Sequence, residues 1–187
     1  MLSTAVLDLE TSTLNADEAI LLVTCIKSSE LGMITLRIDD TDAYWWNQGL
    51  RGHDNIIAAR TAELLEQHDV IVAHNGMWFD IPFLRTRLLK HRHPALPNLK
   101  LVDPCAVLRR KFRRKSNSLN AIIDHLGLKD KKTPLQMSVW VDAVLNGNRA
   151  SMDKIVKHCV KDVKALEGVF NAVKPYLKQL DDRGSAL

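Results

Sequence analysis

VIVAHNGMWFDIPFL, residues 70–84, joins four apolar residues and a histidine to an Asn-Gly turn and then to an aspartate that opens an amphipathic run. VIVAH (70–74) predicts a short buried strand, and FDIPFLRTRLLKH predicts a helix, with Pro82 tolerated in its first turn. His74 and Asn75 therefore fall at a strand end, where sheet-based sites gather, and Asp80 at a helix start. Taken alone, Asp80 fits a carboxylate that the helix dipole favours.

Upstream, DNIIAARTAELLEQH has apolar residues at helical spacing after Asp54, an expected N-cap. Before it come three short strand patterns, TAVLDLE (4–10), EAILLVTCIK (18–27) and GMITLRID (32–39), which suit an antiparallel meander. Downstream, NLKLVDP supplies one more strand. Helical patterns then follow in CAVLRRKFRR, in SLNAIIDHLGL between a Ser118 cap and Gly127, and around SVWVDAVLNG. The last helix is expected to start at Ser151 and to end or bend at Pro175. Strands that alternate with helices after a meander predict an α/β protein, with a mixed five-stranded sheet flanked by helices. Residues 1–180 read as a single domain and 181–187 as a flexible tail.

The 187 residues, 46% hydrophobic and 26% charged, provide enough interior for a folded core without disulfide staples. Cys25, Cys105 and Cys159 lack C-x-x-C spacing and read as small buried residues rather than zinc ligands. There is neither an apolar run of roughly 18 residues nor a signal-peptide pattern, so a cytoplasmic location is expected. The net charge of +4 is local: RRKFRRK (109–115) contributes six positive charges, and the rest of the chain is slightly acidic. Such a run suits a polyanion or a solvated face.

Two further stretches carry chemistry. In LDLET, Asp8 and Glu10 leave one face of a strand together, and two adjacent carboxylates that stay ionised call for a cation between them. Oxygen ligands of this kind point to Mg²⁺ or Mn²⁺. In HCVKDV (158–163), His158 and Asp162 stand at i and i+4 on one helix face, a spacing compatible with a salt bridge, a capped core or a metal site.

Together, DLET (8–11), N-x-x-x-F-D (75–80) and H-x-x-x-D (158–162) resemble, in order and separation, the three motifs of the DnaQ-like, or DEDD, superfamily of 3′–5′ exonucleases. LVDPCAVLRR and SNSLNAIIDHLGL resemble the segments between its second and third motifs, and the stand-alone outline is similar to phage-encoded members. The resemblance implies a ribonuclease H-like fold. It also implies two Mg²⁺ or Mn²⁺ ions held by Asp8, Glu10, Asp80 and Asp162, and hydrolysis of single-stranded DNA ends.

One branch of that superfamily carries a tyrosine four residues before the last aspartate, the other a histidine five before it. This chain has His158 at the tyrosine spacing and Lys157 at the other, which a rotation of about 100° should turn away. His158 is thus expected to be the general base, against the alternative that it only bonds Asp162. For the substrate, the expected contacts are Thr11, Leu14 as a wedge, Asn75, and Trp78 or Phe79 as a stacking face, with core packing the alternative for the aromatics. Arg109, Arg110, Arg113 and Arg114 are expected on backbone phosphates. An exoribonuclease of the same fold and a non-catalytic nucleic-acid-binding module remain open.

Overall fold

The computed structural model describes residues 2–129 and 134–181. Strands β1 (Thr4–Thr11), β2 (Leu21–Ser28) and β3 (Gly32–Arg37) form the expected meander, with β1 antiparallel to β2 and β2 antiparallel to β3. After them come α1 (Ile38–Thr41), α2 (Ala43–Asn47) and α3 (Asn55–Glu66). Next are β4 (Val70–Val72), α4 (Asp80–Lys90) and β5 (Leu101–Val102), with β4 parallel to both β1 and β5. The result is a mixed five-stranded sheet of order β3-β2-β1-β4-β5. The chain closes with α5 (Pro104–Lys111), α6 (Leu119–Leu126), α7 (Met137–Asn146) and α8 (Arg149–Asp181).

β2 and β4 are buried at nearly every residue because helices cover both sheet faces. α8 packs across β1, β2 and β3, and α3 packs on β2 and β3. Leu7, Leu22, Ile26, Ile57, Ile71 and Leu84 form the centre of the core. A smaller apolar cluster of Leu108, Ile122, Val169 and Val173 fills the junction of α5, α6 and α8. No helix among the described residues is long and apolar enough to cross a membrane.

Several local expectations are corrected. β2 begins at Leu21 rather than Glu18, because residues before it form a turn in which Asn15 O accepts from the Glu18 and Ala19 N–H groups. β3 ends at Arg37, whose guanidinium grips Asp39 at 2.6 and 2.7 Å and Asp153 at 2.5 Å. The two short helices after it were not foreseen. Asp54 precedes α3 but does not cap it with its side chain. The Ile56 and Ile57 N–H groups instead donate to Asp42, at 2.8 and 3.0 Å.

Asp54 is fully buried and receives Arg87 through Nε and Nη2 at 2.8 and 2.7 Å, the Leu21 N–H at 2.7 Å and His91 Nε2 at 2.6 Å. Burial pushes its carboxyl up, but these bonds outweigh that and hold it below the usual aspartate range. The network ties α4 to the start of β2 and to α3.

α8 starts at Arg149, capped by Asn148 Oδ1, which accepts from the Ala150 and Ser151 N–H groups. Ser151, the expected cap, lies inside the helix and donates to Asp142 at 2.6 Å. Pro175 does not end α8, which continues to Asp181. Val173 and Leu177, packed on the smaller cluster, hold the helix on both sides of the proline. The tail expected over 181–187 lies, past Asp181, outside the described residues. The Ser118 cap and the left-handed Gly127 stop of α6 are as read.

Candidate metal centre

The β4–α4 connection is shaped by residues that tolerate unusual backbone. Asn75 sits at φ +61, a left-handed conformation that asparagine accepts more readily than most residues, and its carbonyl receives the Trp78 and Phe79 N–H groups. Gly76 is required, since a Cβ there would stand 2.2 Å from the Ala73 Cβ. The turn delivers Asp80 to the start of α4. There its Oδ1 accepts the Leu9 N–H at 3.2 Å, beyond the last β1–β4 pair at Val6 and Val72.

β1 presents Asp8 and Glu10 on either side of that bond. From the other direction α8 presents His158, Cys159 and Asp162, all buried. His158 Nε2 lies 3.7 Å from Glu10 Oε1 and 3.8 Å from Asp162 Oδ2. Lys157, by contrast, is exposed. Ligand atoms of Glu10, His158 and Asp162 fall within 4.8 Å of one another, and so do those of Asp8, Glu10 and Cys159. Glu10 is common to both groups and joins Asp8 to Asp162. Asp80 is joined through Leu9 and through charge: burial first, then the neighbouring Asp8, pushes its carboxyl well above the usual range.

Whether this donor set fits a metal follows from its chemistry. Carboxylates from three separate segments crowd together, Asp80 and Asp162 buried and Asp8 and Glu10 half-buried, and burial with the neighbouring Asp8 charge makes Asp80 resist ionisation, a cost that a cation among them would offset. The Cys159 thiol is also pushed up, chiefly by burial, and donates to Asp8 O at 3.4 Å and to Asp8 Oδ2 at 3.3 Å. With no thiolate, the ligands on offer are carboxylate oxygens, with the His158 imidazole beside them, and such oxygens suit a hard divalent ion such as Mg²⁺ or Mn²⁺ better than zinc.

Sequence reading missed three neighbours of this centre. Cys159 was read as packing alone. Asp103 caps α5 by accepting the Cys105 and Ala106 N–H groups, and the same Oδ1 accepts the Asn75 N–H at 2.9 Å, which holds the left-handed turn. The Asp-Pro pair was its signal, because proline favours the first helical position after a capping residue. Trp140 on α7 stands edge-on to His158, ring centroids 6.4 Å apart.

The expected substrate residues separate into two kinds. Leu14 is 82% exposed and Trp78 71% exposed, and Arg109, Arg110 and Arg113 are exposed on or just beyond the last turn of α5. Thr11 Oγ1 donates to Thr13 O at 2.7 Å. Phe79 packs against Phe83 and the core, which favours the packing alternative for it. Arg114 is half-buried and folds back onto the Ser116 and Ala121 carbonyls at 3.3 and 3.1 Å, so RRKFRRK is not one uniform face.

The family model of the RNase H superfamily matches residues 5–174. No curated protein matches the chain. Among solved structures, the family B DNA polymerase from the hyperthermophilic archaeon Pyrobaculum calidifontis superposes with a TM-score of 0.75 and 15% identity, over 96% of this chain and 25% of that one. The chain thus spans a quarter of the polymerase's length, and at that identity the likeness is one of fold.

Proposed function

This chain belongs to the RNase H superfamily, whose nuclease fold implies a nucleic-acid substrate, and on that premise we propose that it is a DnaQ-like (DEDD) 3′–5′ exonuclease acting on single-stranded DNA ends. The observation that carries this reading is Glu10, which shares one neighbourhood with Asp8 on its own strand and with His158 and Asp162 on α8. Fold alone would license no activity, so the reading rests on that convergence.

In this proposal Asp8, Glu10, Asp80 and Asp162 hold two divalent ions, Mg²⁺ or Mn²⁺. A divalent ion held by these residues would supply Lewis acidity to a water and to the leaving 3′ oxygen. The chain's own part is positional and acid–base. His158 accepts the proton of the attacking water, and Trp140 packs edge-on beside its ring. The Leu9 N–H fixes the Asp80 carboxylate against β1, and the Asp103–Asn75 bond fixes the turn that leads to it. In the same reading Leu14 and Trp78 separate and stack the terminal bases, and Arg109 and Arg110 meet backbone phosphates, which their exposure permits.

The test is digestion of end-labelled single-stranded DNA and RNA side by side with Mg²⁺, Mn²⁺ or chelator. A metal-dependent ladder that shortens DNA from its 3′ end is expected. Preferential shortening of RNA would move the substrate to RNA ends, and no cleavage of either polymer would overturn the reading.

A further inference from the structure

A cavity of about 370 Å³ lies between α5, α6 and α8, outside the acidic cluster. Its floor is apolar, made by Leu108, Ile122 and Val173. Phe112 and Tyr176 meet edge-on at one side, ring centroids 4.9 Å apart. Arg113 and His125 stand exposed among its lining residues, while Arg114 is held to backbone carbonyls as part of the wall. The volume falls in the range of small-molecule sites, about 300–1,000 Å³. An apolar floor with an aromatic side and a cationic edge suits a flat ring that carries a phosphate.

Its place relative to the acidic cluster identifies the occupant. α5 starts at Pro104, where Asp103 is bonded to the Asn75 turn, and its eight residues span roughly 12 Å. Exposed Arg109 and Arg110 line its last turn, and the cavity opens just beyond it. Along α8, Val173 lies roughly 16 Å past Asp162, at about 1.5 Å per residue. α5 thus runs from the Asp103–Asn75 bond at its start to exposed cations at its last turn, beside the cavity.

The geometry points to this cavity as a second nucleotide subsite for the substrate strand: an upstream nucleobase enters the cleft while its phosphate meets Arg113. This inference rests on the exonuclease reading for the polarity of the strand, but binding at the cavity can be measured without catalysis. The subsite anchors the strand several nucleotides from the end being cut, so affinity should rise with length until the cavity is reached.

The experiment measures fluorescence anisotropy of 5′-labelled oligothymidylates of four and twelve nucleotides in the presence of chelator. Ala172 is exposed on the α8 wall of the cavity, so Ala172→Trp fills the cleft without entering the core. Arg113→Glu is the second variant, and thermal unfolding verifies that each is folded. Wild-type protein is expected to bind the longer strand about tenfold more tightly, and both variants to lose most of that gain, in line with the value of one stacked base. Folded variants that keep the length dependence within twofold of wild type would overturn the subsite. Loss of the gain in a protein that cleaves no DNA would uphold the subsite and overturn the exonuclease reading instead.

Discussion

Arg87→Met should destabilise the protein by about 3 kcal/mol at neutral pH. The side chain is wholly buried and gives Asp54 two charge-assisted hydrogen bonds, at 2.8 and 2.7 Å, and a third bond to Ala16 O at 3.0 Å. Bonds to charged groups contribute roughly 1.5–3 kcal/mol each, and removing one member of a buried pair costs roughly 3–5 kcal/mol. The Leu21 N–H and His91 still hold Asp54 in the variant, which places the loss at the lower end.

For a domain of this length that corresponds to a fall in Tm of about 6–12 °C. Because Asp54 is held below its ordinary range in the folded state, its stabilisation is complete above the unfolded pKa of about 3.9 and is lost as pH falls through the folded value. The deficit of Arg87→Met should therefore be largest near neutrality and shrink in acid. Urea titrations followed by circular dichroism at several pH values measure it, with Asp54→Asn and the double variant completing a cycle. A deficit under about 1 kcal/mol, or one independent of pH, would refute the reasoning.

His158→Ala should lower kcat by about 10²–10⁴, the usual contribution of a general base, and steady-state turnover on labelled DNA reads it; a loss under about tenfold would contradict the base role. Asp80→Asn should relieve the metal-free protein. Asp80 is raised by burial and by Asp8, so its contribution is present below the unfolded pKa of about 3.9 and is lost as pH rises. Thermal unfolding in chelator should show wild type losing stability from acid to neutral pH and the variant losing less, and equal pH dependence in both would count against the crowding of acids.

The legible parts of the fold and the site are those whose signals are local. β4, the Asn-Gly turn and the start of α4 were readable from VIVAHNGMWFD, since apolar run, turn chemistry and helix period lie within one stretch. Asp54 shows the opposite case. A capping residue just before a helical pattern is a sound local signal, but Arg87 and His91, more than thirty positions away, captured its side chain, and Asp42 took over the cap. Ser151 failed as a cap because Asn148 was available one turn earlier. The thiol of Cys159 on Asp8 and the reach of Asp103 to Asn75 are contacts between distant segments, which no single periodicity encodes. His158, Asp162, Asp8, Glu10 and Asp80 were selected as a set by their motifs, and packing of α8 against β1 then gives the distances among them.

Calorimetric titration of Mn²⁺ and of Mg²⁺ into the chelator-stripped protein, wild type and Glu10→Gln, probes the acidic centre without any substrate. Two ions per chain in the wild type, with affinity lost in the variant because Glu10 serves both ligand groups, is the outcome expected here. Heat-silent titrations of the folded wild type, or isotherms unchanged by the substitution, would show that these carboxylates gather for some other reason.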